Sequence, residues 1–502
     1  MSQSTKSLVK SKNKDGSYYI KLAIGLLIMF GFGFLPAPAP ITSTGMALIG
    51  MFFGLIYMYS VLDTVWPNIV VMVLFGLHAF DIYPASTQGA GIYEAGSRVF
   101  GADIPVLMLG MLLVSYALES CGLLNRIAVW FITRKVVQRG PWMFTLMFFL
   151  ATLVMALCMD CSAMSVVMLG IAHEIFDRLG FKKGDAWPRM LVTGTVWITC
   201  MGFAMTPIGH NLAIMFTGMI SAATGTEISL FKYMLVGIPV GLCALTLMFL
   251  YFRFIVRPDT AHFQEVDYTV IHEMRPGKMT IHEKLISIIG IAVLLALILP
   301  GLVDFIIPGN AFSALLTGLA PGFVVFSAIG LMVMIRIDGK PLLDLPVAMS
   351  KISWSIQLLV GGIVTVALAM IEETAGISAW ASQFILPMFD GLSPVVATML
   401  ICALCIILTN VLNNVAIGAI FAAICTPLTQ TIGINPGVLA LAVSLCAQMG
   451  FTTPAAFPTI AFATSDPYSN NNYVLRHGLV MTVICLIVSV PLLCPLANMV
   501  FG

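Results

Sequence analysis

Between residues 20 and 500 the chain is a series of long apolar runs separated by short polar segments. A helix that crosses a bilayer needs about 20 apolar residues. The runs near 20–36, 44–62, 66–80, 104–121, 232–256, 283–299, 312–335, 352–372 and 473–500 meet that length. Charged residues make up 9% of the sequence and hydrophobic residues 59%, where a soluble domain carries about 25% charge. So few charges cannot cover a water-facing globule of 502 residues. The chain is read as a polytopic membrane protein whose principal partner is the lipid bilayer. A soluble enzyme, a nucleic-acid binder and a secreted disulfide scaffold are excluded. The polar first 18 residues carry Lys6, Lys10, Lys12 and Lys14 and do not form a signal peptide. The eleven cysteines lie in apolar stretches without a CxxC pattern and read as small hydrophobes.

Four further apolar segments are interrupted. In 186–224 the interruption is Met205-Thr206-Pro207-Ile208-Gly209-His210-Asn211, and in 435–465 it is Phe451-Thr452-Thr453-Pro454 through Pro458. Segments 141–179 and 392–428 break at Asp160-Cys161-Ser162 and at Thr409-Asn410 through Asn413-Asn414. Halves this short read as re-entrant hairpins, since irregular backbone at membrane depth survives only where protein or a water-filled cavity satisfies it. Charge placement tests the count. With the N-terminus cytoplasmic, about 11 crossings and two hairpins put every lysine and arginine except Arg98 and Lys232 on the cytoplasmic side. The C-terminus is then external.

The two halves, 20–256 and 283–502, share one order: helices, amphipathic stretch (124–138 or 377–388), hairpin, broken helix, last helix. Residues 116–124 recur in style at 368–377. Their hairpins enter from opposite faces, which defines an inverted-topology repeat, joined by a charged cytoplasmic linker, 257–282. The histidines and glutamates of that linker read as a solvated loop, not a metal site. Such repeats let one midplane site face either side in turn. Broken helices supply unpaired N–H groups for anions and unpaired carbonyls for cations. No Lys or Arg lies at a tip or break, so a carboxylate would be held by backbone and neutral side chains. The chain has neither GxxxxGK[ST] nor a TVGYG filter, which argues against an ATP-driven pump and a potassium-type channel.

This layout resembles the divalent anion:sodium symporters, the INDY-like family of the ion transporter superfamily, over about residues 20–500. In that family each hairpin tip carries a Ser-Asn-Thr motif and each broken helix a Thr/Pro/Gly/Asn-rich loop, which together hold sodium and carboxylates. Here Asp160, Cys161 and Ser162 fall at the first motif, and Asn413-Asn414 at the Ser-Asn pair of the second. Thr206, Gly209 and Asn211 keep the first loop's pattern; the second keeps Thr453 and Pro454 but lacks the family's Pro-Pro-Asn. Neither Ser-Asn-Thr motif is intact.

The resemblance implies an all-α elevator transporter with scaffold and transport parts, working as a homodimer. It implies sodium-coupled import of a small anion, a di- or tricarboxylate. One cation site would use Asp160, Ser162, Gly202 and Thr206, the other Thr409, Asn413, Asn414 and Thr453. The substrate would touch Ser162, Asn211, Asn414, Thr453 and Pro454. Asp160 is the sharpest departure. Ionised, it would repel a dianion at about 4 Å by roughly 4 kcal/mol at an effective dielectric of 20. It reads as a sodium ligand, a proton carrier, the mark of a different substrate, or a cap on the hairpin's second helix. The alternative function is a sodium/proton antiporter in which Asp160 exchanges the ions. His210 is a further candidate for the cavity. Thr193, Thr195 and Thr199 are expected to bond back within their own helix.

Overall fold

The structure is a computed structural model that describes residues 16–207, 211–261 and 277–502. The N-terminal tail, His210 and most of the linker, including His262 and His272, lie outside the described residues, as does the side chain of Asn211. The described chain is helical apart from a two-stranded hairpin, β1 (Arg336–Ile337) and β2 (Lys340–Pro341). Seven helices are long and apolar enough to cross a bilayer, or eight if one bent pair forms a single span.

The first helices are α1 (Gly16–Gly31), α2 (Ser43–Val61), α3 (Pro67–Ile82) and α4 (Gly91–Gly101). With residues 358–384 they make one compact unit. Its joints are close backbone approaches. The Thr42 hydroxyl caps α2 at Gly45 and donates to the Thr374 carbonyl at 2.9 Å, and the Thr374 hydroxyl donates to the Ile82 carbonyl at 2.9 Å. A Cβ at Gly45 would lie 2.0 Å from the Ala375 carbonyl oxygen, so only glycine lets α2 reach that turn.

The second unit comprises 101–357 and 385–502. In order it holds α5 (Asp103–Ser120), α6 (Leu123–Ile132), α7 (Pro141–Ala156), α8 (Cys161–Arg178), α9 (Ala186–Met205), α10 (Asn211–Thr224) and α11 (Leu230–Tyr251). There follow α12 (Ile281–Ile306), α13 (Ala311–Gly318), α14 (Ala320–Met334) and α15 (Leu345–Lys351). Next come α16 (Trp354–Ile371) and α17 (Ile377–Phe389), whose residues from 358 to 384 belong to the first unit. The chain ends with α18 (Pro394–Thr409), α19 (Asn414–Cys425), α20 (Leu428–Thr431), α21 (Pro436–Ala447), α22 (Ile460–Thr464) and α23 (Asn471–Phe501).

The four interrupted segments are helix–break–helix at the residues their polarity marks: α7/α8, α9/α10, α18/α19 and α21/α22. Proline at the first turn starts α7, α18 and α21, where its missing N–H costs nothing. Gly122 and Gly376 both adopt left-handed φ, of 73° and 67°, just before α6 and α17. The likeness of 116–124 to 368–377 is therefore a shared turn as well as a shared sequence style. One expected span differs. The run 312–335 is not one helix but α13 and α14, bent by 68° at Leu319. Ala320 takes a φ of 57° and Pro321 occupies the first turn of α14, so the helix cannot run through. The short α3, of 16 residues, also falls below the length of a full span.

Candidate functional site

The two tips are built alike. Asp160 is the N-cap of α8, and one carboxylate oxygen accepts the N–H groups of Ser162 at 2.9 Å and Ala163 at 3.2 Å. Asn413 is the N-cap of α19, and its carboxamide oxygen accepts those of Val415 at 2.9 Å and Ala416 at 3.4 Å. Each tip thus ends in a side-chain oxygen satisfying the orphan donors of the helix that follows. One is a carboxylate and the other a neutral amide. Asp160 therefore does cap; its second oxygen is spared for other work.

Threonine hydroxyls lock each break against its tip. Thr206, just past the end of α9, donates to the Leu157 carbonyl of the first tip. Thr452 donates to the Asn410 carbonyl of the second tip at 2.6 Å. Leu157 stands three residues before Asp160 and Asn410 three before Asn413. The counterpart of Thr206 is therefore Thr452, not the Thr453 singled out from the sequence. Thr453 is half-buried and accepts the Ala456 N–H at 3.2 Å, while Pro454 is exposed. Sequence reasoning missed Thr452 because two threonines precede the proline, and only the fold separates them.

Asn410 joins tip and break. It donates to the carbonyls of Ile406 and Met449, both at 2.8 Å, and accepts the Phe451 N–H at 2.9 Å. Thr409 is fully buried, with its hydroxyl committed to the Ala447 carbonyl at the end of α21. Gly202 lies in the last turn of α9, whose carbonyls lack helical partners. A Cβ there would come within 2.7 Å of the Ala156 Cβ, so glycine lets α9 pack close to the first hairpin. The hydroxyls of Thr193, Thr195 and Thr199 donate to the carbonyls of Arg189, Leu191 and Val196, as the sequence suggests.

The second break gathers both tips. Cys161 Sγ stands 3.2 Å from the Thr459 hydroxyl, and the Asn414 N–H donates to the Ala456 carbonyl at 3.0 Å. Trp197 of α9 donates to the Phe451 carbonyl at 3.1 Å. Ser162, half-buried, and Asn414, 1% exposed, thus sit at tips that rest on one loop. Asn414 is singular. Among the described residues it alone has both side-chain polar atoms buried with no protein partner. A buried amide left unpaired costs about 1–3 kcal/mol. Gln448, one residue past the end of α21, is fully buried and its amide oxygen also has no partner, although its nitrogen donates to the Ser444 carbonyl at 2.6 Å. Ser444 lies 3.1 Å from the Tyr233 hydroxyl, which donates to the Ala204 carbonyl.

Two capped tips, two breaks tied to them by threonine hydroxyls and a buried amide without a protein partner thus come together around the second break. The chain belongs to the family of the sodium:sulfate symporter transmembrane region, whose pattern matches residues 17–500; these are the divalent anion:sodium symporters that its motifs resemble. It is 26% identical over 389 residues to the sodium-dependent dicarboxylate transporter SdcS of Staphylococcus saprophyticus, covering 74% of this chain and 72% of the relative. It is 23% identical over 376 residues to SdcS of Staphylococcus aureus, covering 73% and 71%. Its fold is similar to the crystal structure of the YdaH transporter of Alcanivorax borkumensis, with a TM-score of 0.57 at 15% identity over 91% of this chain and 98% of that one.

Proposed function

We propose that the protein is a secondary transporter of the cell membrane that couples inward sodium movement to uptake of a small organic anion, a di- or tricarboxylate. The observation that carries this reading is the unpartnered Asn414 carboxamide at a tip resting on the same loop as Asp160 and Ser162. A buried amide offers a donor to a carboxylate and an acceptor to a cation. The relatives' sodium dependence favours sodium over protons, and nothing beyond Asp160 itself favours the antiporter.

In this reading one sodium is held by Asp160, Ser162, the carbonyl of Gly202 and Thr206. A second is held by the tip of Asn413 and Asn414 with Thr409 and the Thr452–Thr453 pair. Thr206, Thr409 and Thr452 donate their protons to carbonyls, which leaves their oxygen lone pairs available to a cation. The anion lies between the tips, against Ser162, Asn211, Asn414, Thr453 and Pro454. Asp160 sits where a sodium ion would screen it from the dianion. The tips and breaks form a transport part moving against a scaffold in an inverted-repeat, elevator-type homodimer, with the N-terminus cytoplasmic and the C-terminus external.

The test is uptake by proteoliposomes of labelled carboxylates and sulfate, under an inward sodium gradient or a proton gradient alone, with Asp160→Asn in parallel. Sodium-driven accumulation of a carboxylate that the variant loses supports the symporter. Sodium-driven proton movement without organic uptake overturns it.

A further inference from the structure

The amphipathic stretch after α5 has no part in the proposed transport site, yet it carries a distinct surface. Helix α6 runs Leu123–Ile132, and a tight helical turn, Lys135–Arg139, leads to α7. Its inner face is built into the protein: Leu124, Ala128, Val129, Ile132 and Val137 are buried. Its first turn is anchored by Arg126, which donates to Glu283 at the start of α12 at 2.9 Å. The outer face is basic and aromatic. Trp130 is 54% exposed, and the Arg134 guanidinium stacks 3.5 Å from its ring. Lys135 and Arg139 are exposed as well. Among the described residues, none of these three cations enters an ion pair.

These groups frame a groove of about 550 Å³, walled by Trp130, Thr133, Arg134, Lys135, Val136 and Met147. The walls are largely hydrocarbon while the rim is cationic. Water alone does not call for that combination. A tryptophan at this level prefers the boundary between headgroups and chains. Basic side chains that bury their stems in apolar surface hold their charges at the same depth.

We propose that this groove binds a single anionic phospholipid of the surrounding bilayer. Its phosphate pairs with Arg134 and Lys135, and one acyl chain lies in the groove against Trp130, Val136 and Met147. The charge complementarity selects the headgroup, because unneutralised basic groups at a membrane surface recruit anionic lipid. The groove's apolar walls select a lipid over a free anion. The lipid would brace the turn between α6 and the first hairpin, whose arm α7 contributes Met147.

Native mass spectrometry of the full purified protein, with phosphatidylglycerol or phosphatidylcholine added, tests this. The wild type is expected to retain one phosphatidylglycerol with roughly thirtyfold preference, and to melt higher in its presence, as two surface cations imply. Arg134→Gln/Lys135→Gln is expected to lose that preference, and Trp130→Ala to weaken retention of both lipids. Arg336→Gln/Lys340→Gln, on β1 and β2, should keep it. Melting curves without lipid confirm that each variant is folded. Equal retention of the two lipids by the wild type overturns the proposal, as does an unchanged preference in Arg134→Gln/Lys135→Gln. A thermal shift from inorganic phosphate alone would assign the site to a free anion and also overturn it. So would a change in oligomeric mass without a change in lipid, which would make the face a contact between copies.

Discussion

Asn414 and Asp160 hold opposite ends of one problem. Each opens or caps a helix at a tip, and each has polar capacity that the protein does not use. For Asn414 the unused capacity is the whole carboxamide, buried and without a partner. Such a group lowers stability, so its presence points to a task outside folding. Asn414→Ala removes an unpaired amide worth about 1–3 kcal/mol. The variant is expected to melt at or above the wild-type temperature and to lose more than about tenfold in uptake, a difference of about 1.4 kcal/mol. A lower melting temperature with intact uptake would make Asn414 structural. The threonines can be separated in the same way. Thr452→Val strips the buried Asn410 carbonyl of its donor and should cost about 1–2 kcal/mol of stability. Thr453→Val, at a half-exposed turn, should stay within about 0.5 kcal/mol. Thermal denaturation of both variants decides which threonine is the counterpart of Thr206. The sequence exposes both residues equally; only the carbonyl that each hydroxyl reaches tells them apart.

At the scale of elements, the spans and the four interruptions are legible because hydrocarbon tolerates no ambiguity. A polar pair such as Asn413-Asn414 inside an apolar run has to be a break or a site. The bend at Leu319 escaped because composition carries no signal for it: residues 312–335 stay apolar through the kink, and the positive φ at Ala320 is a property of the fold. Helix α4 went unread for a different reason: it is short and carries charge, and beside buried Ala95 and Val99 its Glu94–Arg98 pair reaches outside the helix to Ser86 and Tyr83. Glu94 accepts from Ser86 at 2.7 Å and pairs with Arg98 at 2.6 Å, and Arg98 also stacks on Tyr83. Burial pushes the Glu94 carboxyl up, but the Ser86 hydroxyl and the Arg98 guanidinium outweigh it and hold it below its ordinary value of 4.5. A carboxyl lowered by folding stabilises the native state above its unfolded pKa, and that stability is lost as pH falls through the folded value. Glu94→Gln should therefore melt below the wild type at pH 7, by about 1 kcal/mol, and the gap should narrow progressively as pH falls below 4.5. A gap that does not narrow as pH is lowered would show that the carboxylate's charge contributes nothing to the stability of this corner.

At the scale of the molecule, hydropathy and charge asymmetry gave the class, while the pairing of distant segments came only from the fold. Residues 358–384 build one compact unit with residues 16–100, through contacts such as Thr42 to Thr374 that no local periodicity records. The orientation inferred from the basic residues makes its own prediction. Gly502→Cys should react with a membrane-impermeant maleimide added outside intact cells, and protection until the membrane is opened would reverse the assigned topology. The central claim is that the two tips and the second break form a single site where sodium and an organic anion bind together. Its most direct measurement is equilibrium binding of a labelled dicarboxylate to the purified protein, titrated with sodium, in the wild type, Asp160→Asn and Asn414→Ala. Binding is expected to require sodium in the wild type, to show a right-shifted sodium dependence in Asp160→Asn, and to weaken at least about tenfold in a folded Asn414→Ala. Sodium-independent binding, or wild-type binding by both variants, would contradict it.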